Sequence, residues 1–299
     1  MHIVHHHLAH GASLELAARS IAVGREPALA VIHGGGRGCV LRIEGPVAAI
    51  WIPLRGRLQL GSGGDALAYP SETRVTETEP RVHAIGRGNA IWVAIAGTPT
   101  AWRNALRGLL GNPVPEPLLL PARHAADHDL RRRSIALARA AVGTSTEAPA
   151  EALLDRIVAL QGQFADAIAR CPGRTYAQRR QVFLRLQRVR NYLAANCHLD
   201  VDNEALARMA SYSPWHFIRA FRAAYEETPH AYLVRQRLER AHRMLRASPL
   251  AIAEIALASG FENRCAFSRL FRQRFGVTAG TVRRQGTGGV GLPLAVASR

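Results

Sequence analysis

Two stretches of the chain place arginine at the same spacing, fifty residues apart: Arg219 and Arg222 in the first, Arg269 and Arg272 in the second. The guanidinium group of arginine can bind a phosphate, or it can donate two parallel hydrogen bonds to O6 and N7 of a guanine base. The chemistry that these residues offer is recognition of nucleic acid, carried out twice along one chain.

A short helix would position each arginine pair. In the second stretch Phe267, Leu270 and Phe271 recur at helical spacing and form an apolar face, while Cys265 and Arg269 lie on the opposite side. The first stretch has the same pattern. Many solvated surface helices also look like this, so the pattern of one helix alone does not decide its function.

The repeat extends beyond these two helices. The offset of fifty also pairs Glu204 with Glu254 and Ala210 with Gly260, which predicts a duplicated helix–turn–helix unit. A helix from about residue 229 to residue 248 joins the two units. Its length of about 28 Å is close to the ~34 Å that separates successive major-groove faces.

Positive charge is concentrated in the same part of the chain. The 299 residues carry a formal net charge of +17 and no lysine. Residues 174–284 contain 20 Arg against 8 acidic residues, a surplus of 12, whereas residues 1–173 have a surplus of only 4. A GC-rich genome would explain the choice of arginine over lysine but not this asymmetry. The asymmetry predicts a basic module for an anionic polymer, attached to a nearly neutral module.

The four cysteines are scattered without a C-x-x-C pair, which argues against a zinc finger or a disulfide framework. No signal peptide is visible, and no apolar run approaches the ~18–20 residues that span a bilayer. We therefore expect a soluble, cytoplasmic protein without a membrane partner.

Residues 28–97 are predicted to form β-structure, because short apolar runs alternate with turn signals. The runs are 28–32, 39–43, 47–54, 57–60, 66–69, 82–85 and 90–96, and the turn signals are 34–36, 44–46, 61–65 and 86–89. The glycine clusters lack the Lys-Ser/Thr of a phosphate loop and are interpreted as hairpin turns. Strands at this spacing predict a jelly-roll or a barrel.

Histidines are frequent at the N-terminus: His2, His5, His6, His7 and His10. Metal binding is one interpretation, but no carboxylate or cysteine completes a site, so a partly ordered polar terminus is favoured.

From Trp102 onward the pattern is helical, with prolines at 113, 115, 117 and 121 that interrupt it, and with amphipathic segments at 125–142 and 149–170. Leu153, Ile157 and Leu160 form one stripe, which is either core or a dimer seam. The predicted domains are 1–121, a helical dimerisation or linker segment 122–173, a basic helical domain 174–285 and a flexible tail 286–299.

Residues 180–284 resemble the DNA-binding domain of the AraC/XylS family of bacterial transcription regulators. The segments that carry this resemblance are 206–210, 213–222, 228–233, 237–241, 252–256 and 260–276. Residues 53–70 resemble, more loosely, the cupin-like sensor domains that precede many such regulators. Enzymatic cupins hold a metal with a His-x-His pair, whereas His33 and His83 stand alone here. The predicted fold class is α+β: a cupin-like β-barrel or jelly-roll with following helices, then an all-α domain of two helix–turn–helix units joined by a long helix.

Three positions depart from the family pattern. Glu226 replaces the usual glycine after the first recognition helix. Residues 278–283 lack the usual Thr-Pro-x-x-Tyr/Phe-Arg ending, which is expected to loosen the last helix. Arg264 and Cys265 stand where smaller polar residues are usual, which concerns the base preference of the second helix.

The resemblance implies base contacts from two groups of residues: Trp215, Ile218 and Arg219 in the first helix, and Arg264, Cys265, Ser268 and Arg269 in the second. The helical pattern agrees for Trp215, Arg219, Cys265 and Arg269, whereas Ile218 and Ser268 lie on the flank and could be partly buried. Phosphate contacts are predicted for Ser213, Arg222, Asn263 and Arg272.

The sequence therefore predicts a sequence-specific DNA-binding transcription regulator. The resemblance implies activation as the commoner mode, with control by a small molecule or by dimerisation through the N-terminal domain. Double-stranded DNA and RNA polymerase are the expected partners; no catalytic residue, metal or cofactor is predicted. Two alternatives are an enzyme (a cupin oxygenase or a thiol-dependent DNA repair protein) and a non-specific architectural DNA binder. Because the two helices present different residues, the expected DNA site is an asymmetric pair of boxes.

Overall fold

The computed structural model describes residues 1–61, 66–68, 70, 72–76, 78–110, 119–125, 128–140 and 147–287. The chain separates into two compact units, Met1–Ala169 and Arg170–Arg299. Residues 62–65 of one predicted turn, the prolines at 113, 115 and 117, and residues 288–299 of the predicted tail lie outside the described residues. No helix of the described part is long and apolar enough to cross a membrane.

The first unit is built on one large sheet. Its strands and those of a small hairpin are β1 (Ile3–Leu8), β2 (Ser13–Ala17), β3 (Ala22–Val23), β4 (Glu26–Pro27), β5 (Leu29–Gly36), β6 (Val40–Leu60), β7 (Ala66–Ala68), β8 (Glu72–Val75), β9 (Glu79–Gly97) and β10 (Ala122–Ala125). The sheet runs in the order β1-β5-β9-β6-β8-β10, with β2 and β7 also paired to β6, and β3 pairs with β4. Among the described residues this path begins at β1 and ends at β10, so the predicted barrel is not closed.

The long strands β6 and β9 pass through two positions that were predicted to be turns. Both predictions, at 44–46 and at 86–89, are wrong. The register between the strands shifts between Glu44 and Val47, and Gly45 and Gly88 have φ values of 110° and 68°. Glycine at these positions lets a strand bend at an irregularity instead of reversing the chain.

The predicted hairpin turn at 34–36 is also wrong, because these three glycines are the last residues of β5. Gly34 lies opposite Trp92 on β9, and a Cβ on Gly34 would lie only 2.0 Å from the Trp92 side chain. Glycine is needed here because the indole packs directly against the backbone of the neighbouring strand.

The N-terminus is a strand and not a partly ordered segment. β1 pairs in parallel with β5, and His7 lies opposite His33. Val4 and Leu8 pack into the core beneath the sheet, while the intervening His5 and His7 lie on the other face, as the two-residue period of a strand requires.

Both faces of the sheet are apolar. One face forms a core around Trp51 and Trp92. The other is covered by α1 (Pro99–Leu110), α2 (His128–Ala140) and α3 (Glu147–Gln161). Leu153 and Ile157 are fully buried in this second core, so these two residues of the predicted stripe serve packing within the unit. Residues 122–125, at the start of the predicted helical region, are the edge strand β10 instead.

The second unit is helical. Its helices are α4 (Ala165–Arg170), which spans the boundary, α5 (Tyr176–Ala195), α6 (Asn203–Met209), α7 (Pro214–Tyr225), α8 (Pro229–Ala247), α9 (Ile252–Ala258), α10 (Arg264–Phe275) and α11 (Ala279–Thr287). Every helix predicted for this region is present. The last helix forms despite its departure from the family pattern, with Ala279 and Val282 buried against the core around Phe271.

The repeat is less regular than its sequence indicates. Helices α7 and α10 lie fifty residues apart at both ends. The supporting helices α6 and α9 are offset by forty-nine instead, because Ser211 and Gly260 take equivalent left-handed conformations at φ 58° and 90°. Ala210 therefore corresponds to the fully buried Ser259 and Glu204 to Ala253, so the predicted pairings of Ala210 with Gly260 and of Glu204 with Glu254 are both wrong. The turn before the second arginine-bearing helix is one residue longer.

Candidate nucleic-acid interface

Helix α7 exposes the side chains that were predicted to contact DNA. Trp215 is 62% exposed and Ile218 is 37% exposed, and Arg219 and Arg222 are exposed beside them. Phe217, on the opposite face, is fully buried. A tryptophan near the first turn of a helix that stays this exposed keeps most of its apolar surface in water, where it is available to a partner.

Neighbouring side chains hold Trp215 in place. The His216 ring lies 5.0 Å from it in an edge-to-face arrangement, and the guanidinium carbon of Arg219 lies 5.3 Å from the centre of the indole. Ser213 occupies the N-cap position of α7, but its hydroxyl lies 2.7 Å from Nδ1 of His216 and caps no backbone amide. Ser213, His216, Trp215 and Arg219 therefore form one connected surface group at the start of α7.

Helix α10 has a conventional start. Oδ1 of Asn263 accepts hydrogen bonds from the amides of Cys265, at 2.8 Å, and Ala266, at 3.0 Å, and so caps the helix. The four residues predicted to read bases are all exposed: Arg264, Cys265, Ser268 and Arg269. For Ser268, as for Ile218, the exposed placement is thus the one that the structure shows.

Ion pairs separate the basic residues of this unit into two groups. Arg235 pairs with Glu227 at 2.6 Å and Arg274 with Glu239 at 3.1 Å. The other group has no carboxylate partner among the described residues: Arg219, Arg222, Arg264, Arg269 and Arg272. The second group keeps its positive charge uncompensated on the exposed faces of α7 and α10, which is where an anionic polymer would gain most from contact.

Aromatic cores hold the two helices in place. Phe217 and Phe221 in α7, and Phe267 and Phe271 in α10, are fully buried, as predicted. Burial of such a ring contributes about 2 kcal/mol of stability. At the end of α7 the Tyr225 hydroxyl donates a hydrogen bond of 2.8 Å to Oε1 of Gln187, and burial raises the pKa of this phenol.

The long helix α8 connects the two helix–turn–helix units through arginine side chains. Arg237 donates hydrogen bonds to the carbonyls of Cys197, at 2.7 Å, and Leu199, at 2.9 Å, in the loop before α6. The same guanidinium group packs against Gly260, where an added Cβ would lie 2.8 Å from Nε of Arg237 and 3.0 Å from the carbonyl of Cys197. Arg240 donates to the carbonyl of Ala258 at the end of α9. These contacts fix the turn of the second helix–turn–helix unit against the loop that precedes α6 in the first helix–turn–helix unit.

Comparison with known proteins places this region in a family. Residues 206–285 match the family model for a helix–turn–helix domain. The HTH-type transcriptional regulator GlxA of Rhizobium meliloti strain 1021 is 42% identical over 86 residues, which are 28% of this chain and 26% of GlxA. The probable transcription factor PqrA of Proteus vulgaris is 32% identical over 84 residues, which are 28% of this chain and 69% of PqrA. The chain belongs to the AraC family of transcription regulators.

The family-model match of this AraC-family protein lies within the helical unit. The aligned part spans about a quarter of GlxA and about a third of the MmsAB operon regulatory protein of Pseudomonas aeruginosa. A probable AraC family transcriptional regulator of known structure, from Rhodopseudomonas palustris CGA009, is 28% identical, with 34% of this chain and 95% of that chain covered and a TM-score of 0.33.

All residues predicted to contact DNA lie within the matched part of this AraC-family protein. Sequence reasoning missed His216, Arg237 and Arg240. His216 directly follows Trp215 and lies three residues after Ser213, and this spacing within a first helical turn was a signal that could have been used. The roles of Arg237 and Arg240 depend on contacts with residues 40 and 18 positions away, which no local pattern indicates.

Proposed function

We propose that the protein is a sequence-specific DNA-binding transcription regulator that reads two adjacent major-groove segments, one with α7 and one with α10. The observation that carries this proposal is the pair of exposed, uncompensated arginine faces on two repeat-related helices that α8 holds together. A single solvated helix would not need a duplicate at a fixed position. Membership of the AraC family supports the same function.

Within this proposal the two helices have different tasks. Trp215, Ile218 and Arg219 contact bases in the first box, with the indole surface suited to a thymine methyl group and the guanidinium group to guanine. Arg264, Cys265, Ser268 and Arg269 contact bases in the second box. Phosphate contacts come from Ser213, Arg222, Asn263 and Arg272, and these set the register of the protein on the duplex.

The first unit has the regulatory role in this proposal. It carries a separate core and a nearly neutral charge, which suits binding of a small molecule or a second copy of the chain. A cupin-like origin of this unit, dimerisation through residues 122–173, contact with RNA polymerase, activation of transcription and a cytoplasmic location belong to the same proposal.

Selection of duplexes from a random pool with the full chain, at one fixed salt concentration, tests this function. We expect enrichment of an asymmetric motif of two different boxes, with centres about one helical turn, roughly 10 base pairs, apart. Pools that bind without enrichment, and that unrelated duplex DNA displaces equally well, would show a non-specific architectural protein. Arg274→Ala serves as the matched control. Because the charge of Arg274 is already paired with Glu239, this variant should select the same motif as the wild type.

A further inference from the structure

A cleft of about 500 Å³ lies in the first unit, on the face of the sheet that the helices cover. Its walls include His5 and His7 of β1, His33 of β5, Leu54 of β6, Val93 of β9 and Ala138 of α2. This volume is within the range of roughly 300–1,000 Å³ that small-molecule sites occupy. The opposite face of the sheet is filled around Trp51 and Trp92.

Two histidine rings in this cleft have unused hydrogen-bonding groups. His33 is only 7% exposed, and neither of its ring nitrogens has a hydrogen-bond partner in the described part of the protein. His5 stacks parallel to it, with ring centres 6.0 Å apart and an angle of 4° between the rings, and both of its buried nitrogens also lack a partner there. Buried polar groups are ordinarily paired, so four such atoms beside one cleft point to a ligand.

His124 provides a comparison, because this buried histidine has a polar side chain beside each of its ring nitrogens. It is 3% exposed, and its Nε2 lies 2.9 Å from Nε2 of Gln161 while its Nδ1 lies 3.1 Å from Nε2 of Gln163. His33 is comparably buried but has no such neighbours. Its unpaired nitrogens are therefore a property of the cleft and not of burial in this unit.

The remaining surface of the cleft indicates which ligand would fit. Leu54, Val93 and Ala138 are apolar, and none of the residues that line the cleft is acidic. Burial and the neighbouring His5 and His7 lower the pKa of His33 to about 4, so its ring is neutral near pH 7. A neutral imidazole has one N–H donor and one acceptor nitrogen. Two stacked rings can together donate two hydrogen bonds to the oxygens of one carboxylate.

A metal ion is a poorer fit than an organic anion. In the described ranges no three His, Cys, Asp or Glu side chains are grouped so that they could hold a metal ion.

We propose that this cleft binds a small carboxylic acid with an apolar body, whose carboxylate accepts hydrogen bonds from His5 and His33 and whose body packs on Leu54, Val93 and Ala138. This inference rests on the proposed control of the regulator by a small molecule, and it names the site and the chemical class of that molecule. It does not depend on how α7 and α10 contact DNA.

Gly35 gives a way to close the cleft without disturbing the fold. It lies in β5 at the cleft, and no atom lies within 4 Å of the position that a Cβ would take. Gly35→Leu therefore fills the space that the ligand would occupy. Gly108→Leu is the matched control, because Gly108 in α1 is also open around its Cβ position but lies away from the cleft. His33→Phe keeps a ring of similar shape and removes both nitrogens.

The experiment titrates the full chain with straight-chain carboxylates from butanoate to decanoate and with benzoate and phenylacetate, by calorimetry. We expect at least one of these acids to bind to the wild type and to the Gly108→Leu variant with the same Kd. Gly35→Leu and His33→Phe should each weaken that binding by at least tenfold, and the corresponding primary amide should bind at least tenfold more weakly than the acid.

The proposal is overturned if none of these acids binds, or if Gly35→Leu binds the acid as tightly as the wild type does. Circular dichroism of each variant shows whether it is folded, so that Gly35→Leu remains informative if His33→Phe unfolds. Binding of each variant to the selected DNA motif is measured in parallel. A wild type that binds its motif but none of the acids would refute the ligand site and leave the DNA-binding function standing.

Discussion

Glu226 and Gly276 end the two arginine-bearing helices in the same left-handed conformation, at φ values of 61° and 71°. Their amides donate to the carbonyls of Arg222 and Arg272, each at 2.8 Å. A residue with a Cβ is strained in this conformation, whereas glycine is not. The Glu226 side chain is 74% exposed and lies 3.7 Å from Arg170, so that ion pair offers little compensation.

Replacing Glu226 by glycine should therefore stabilise the helical unit. We expect Glu226→Gly to raise its free energy of unfolding by about 1 kcal/mol, and Gly276→Ala to lower it by a similar amount. Both changes in the free energy of unfolding are measured by urea denaturation, with the hydrogen exchange of the α8 amides as the readout. Destabilisation by Glu226→Gly would show that the glutamate makes a contribution that outweighs the backbone strain.

The contacts of Arg237 predict that the two helix–turn–helix units are coupled. Arg237→Ala removes two hydrogen bonds to loop carbonyls, a part-buried one to Cys197 and an exposed one to Leu199, and should lower the free energy of unfolding by about 2 kcal/mol. Gly260→Ala should cost at least about 1 kcal/mol, because its φ of 90° and the nearby Cys197 carbonyl both disfavour a Cβ.

DNA binding gives a second test of this coupling. A folded Arg237→Ala variant should lose more affinity for a two-box site than for a duplex with one box. The matched control is Arg246→Ala, on the exposed end of α8. Equal losses on both duplexes would mean that Arg237 contributes to stability alone.

Acid should destabilise the first unit. Burial lowers the pKa of both His33 and His124 from 6.5 to about 4. Below pH 6.5 these two histidines take up protons in the unfolded chain but not in the folded chain. Their contribution to the free energy of unfolding is therefore fully present above pH 6.5 and is lost as the pH falls towards 4. Thermal unfolding at pH 7 and pH 5 measures this dependence.

Replacing each of these two histidines by phenylalanine should change the Tm at pH 7 in different ways. His33→Phe removes unpaired polar atoms and should leave the Tm at pH 7 unchanged or higher, with a weaker loss at pH 5. His124→Phe removes one hydrogen-bond partner from each of Gln161 and Gln163 and should lower the Tm at pH 7. A large destabilisation by His33→Phe at pH 7 would indicate that its nitrogens have a structural role.

Salt dependence tests the predicted phosphate contacts. Each phosphate contact contributes about 0.9 to the slope of log K against log salt concentration. Arg222→Ala and Arg272→Ala should each reduce this slope by about that amount and weaken all sequences alike. Arg274→Ala, whose charge is already paired with Glu239, should leave the slope unchanged; a change as large as that of Arg222→Ala would contradict the division between paired and free arginines.

The helical unit could be predicted well from the sequence because its signals are local. The apolar spacing of Phe267 and Phe271, and the cap at Asn263, lie within one helix. The exposure of Trp215 and Arg219 follows from the same spacing. The two turns differ in length by one residue, which makes Ser259 and not Gly260 the counterpart of Ala210. This difference could not be predicted, because it depends on which residue of each turn takes the left-handed conformation.

The sheet was harder to predict because the decisive contacts join distant residues. Gly34 to Gly36 have the composition of a turn, yet Gly34 is glycine because Trp92 packs against it. His5 and His7 have the composition of a polar terminus, yet they alternate with residues that pack into the core. The cleft beside His33 depends on β1, β5 and α2 coming together, which no single segment of the sequence indicates.

The central claim is that α7 and α10 read different boxes, and base-by-base binding of Arg219→Ala and Arg269→Ala to the selected motif tests it most directly. Each folded variant should lose discrimination in one box only, a different one for each, by about 1–3 kcal/mol at the base pair that its guanidinium group contacts. Arg274→Ala should retain discrimination in both boxes. Unchanged discrimination in folded Arg219→Ala and Arg269→Ala, or the same loss in the same box for both, would contradict the account.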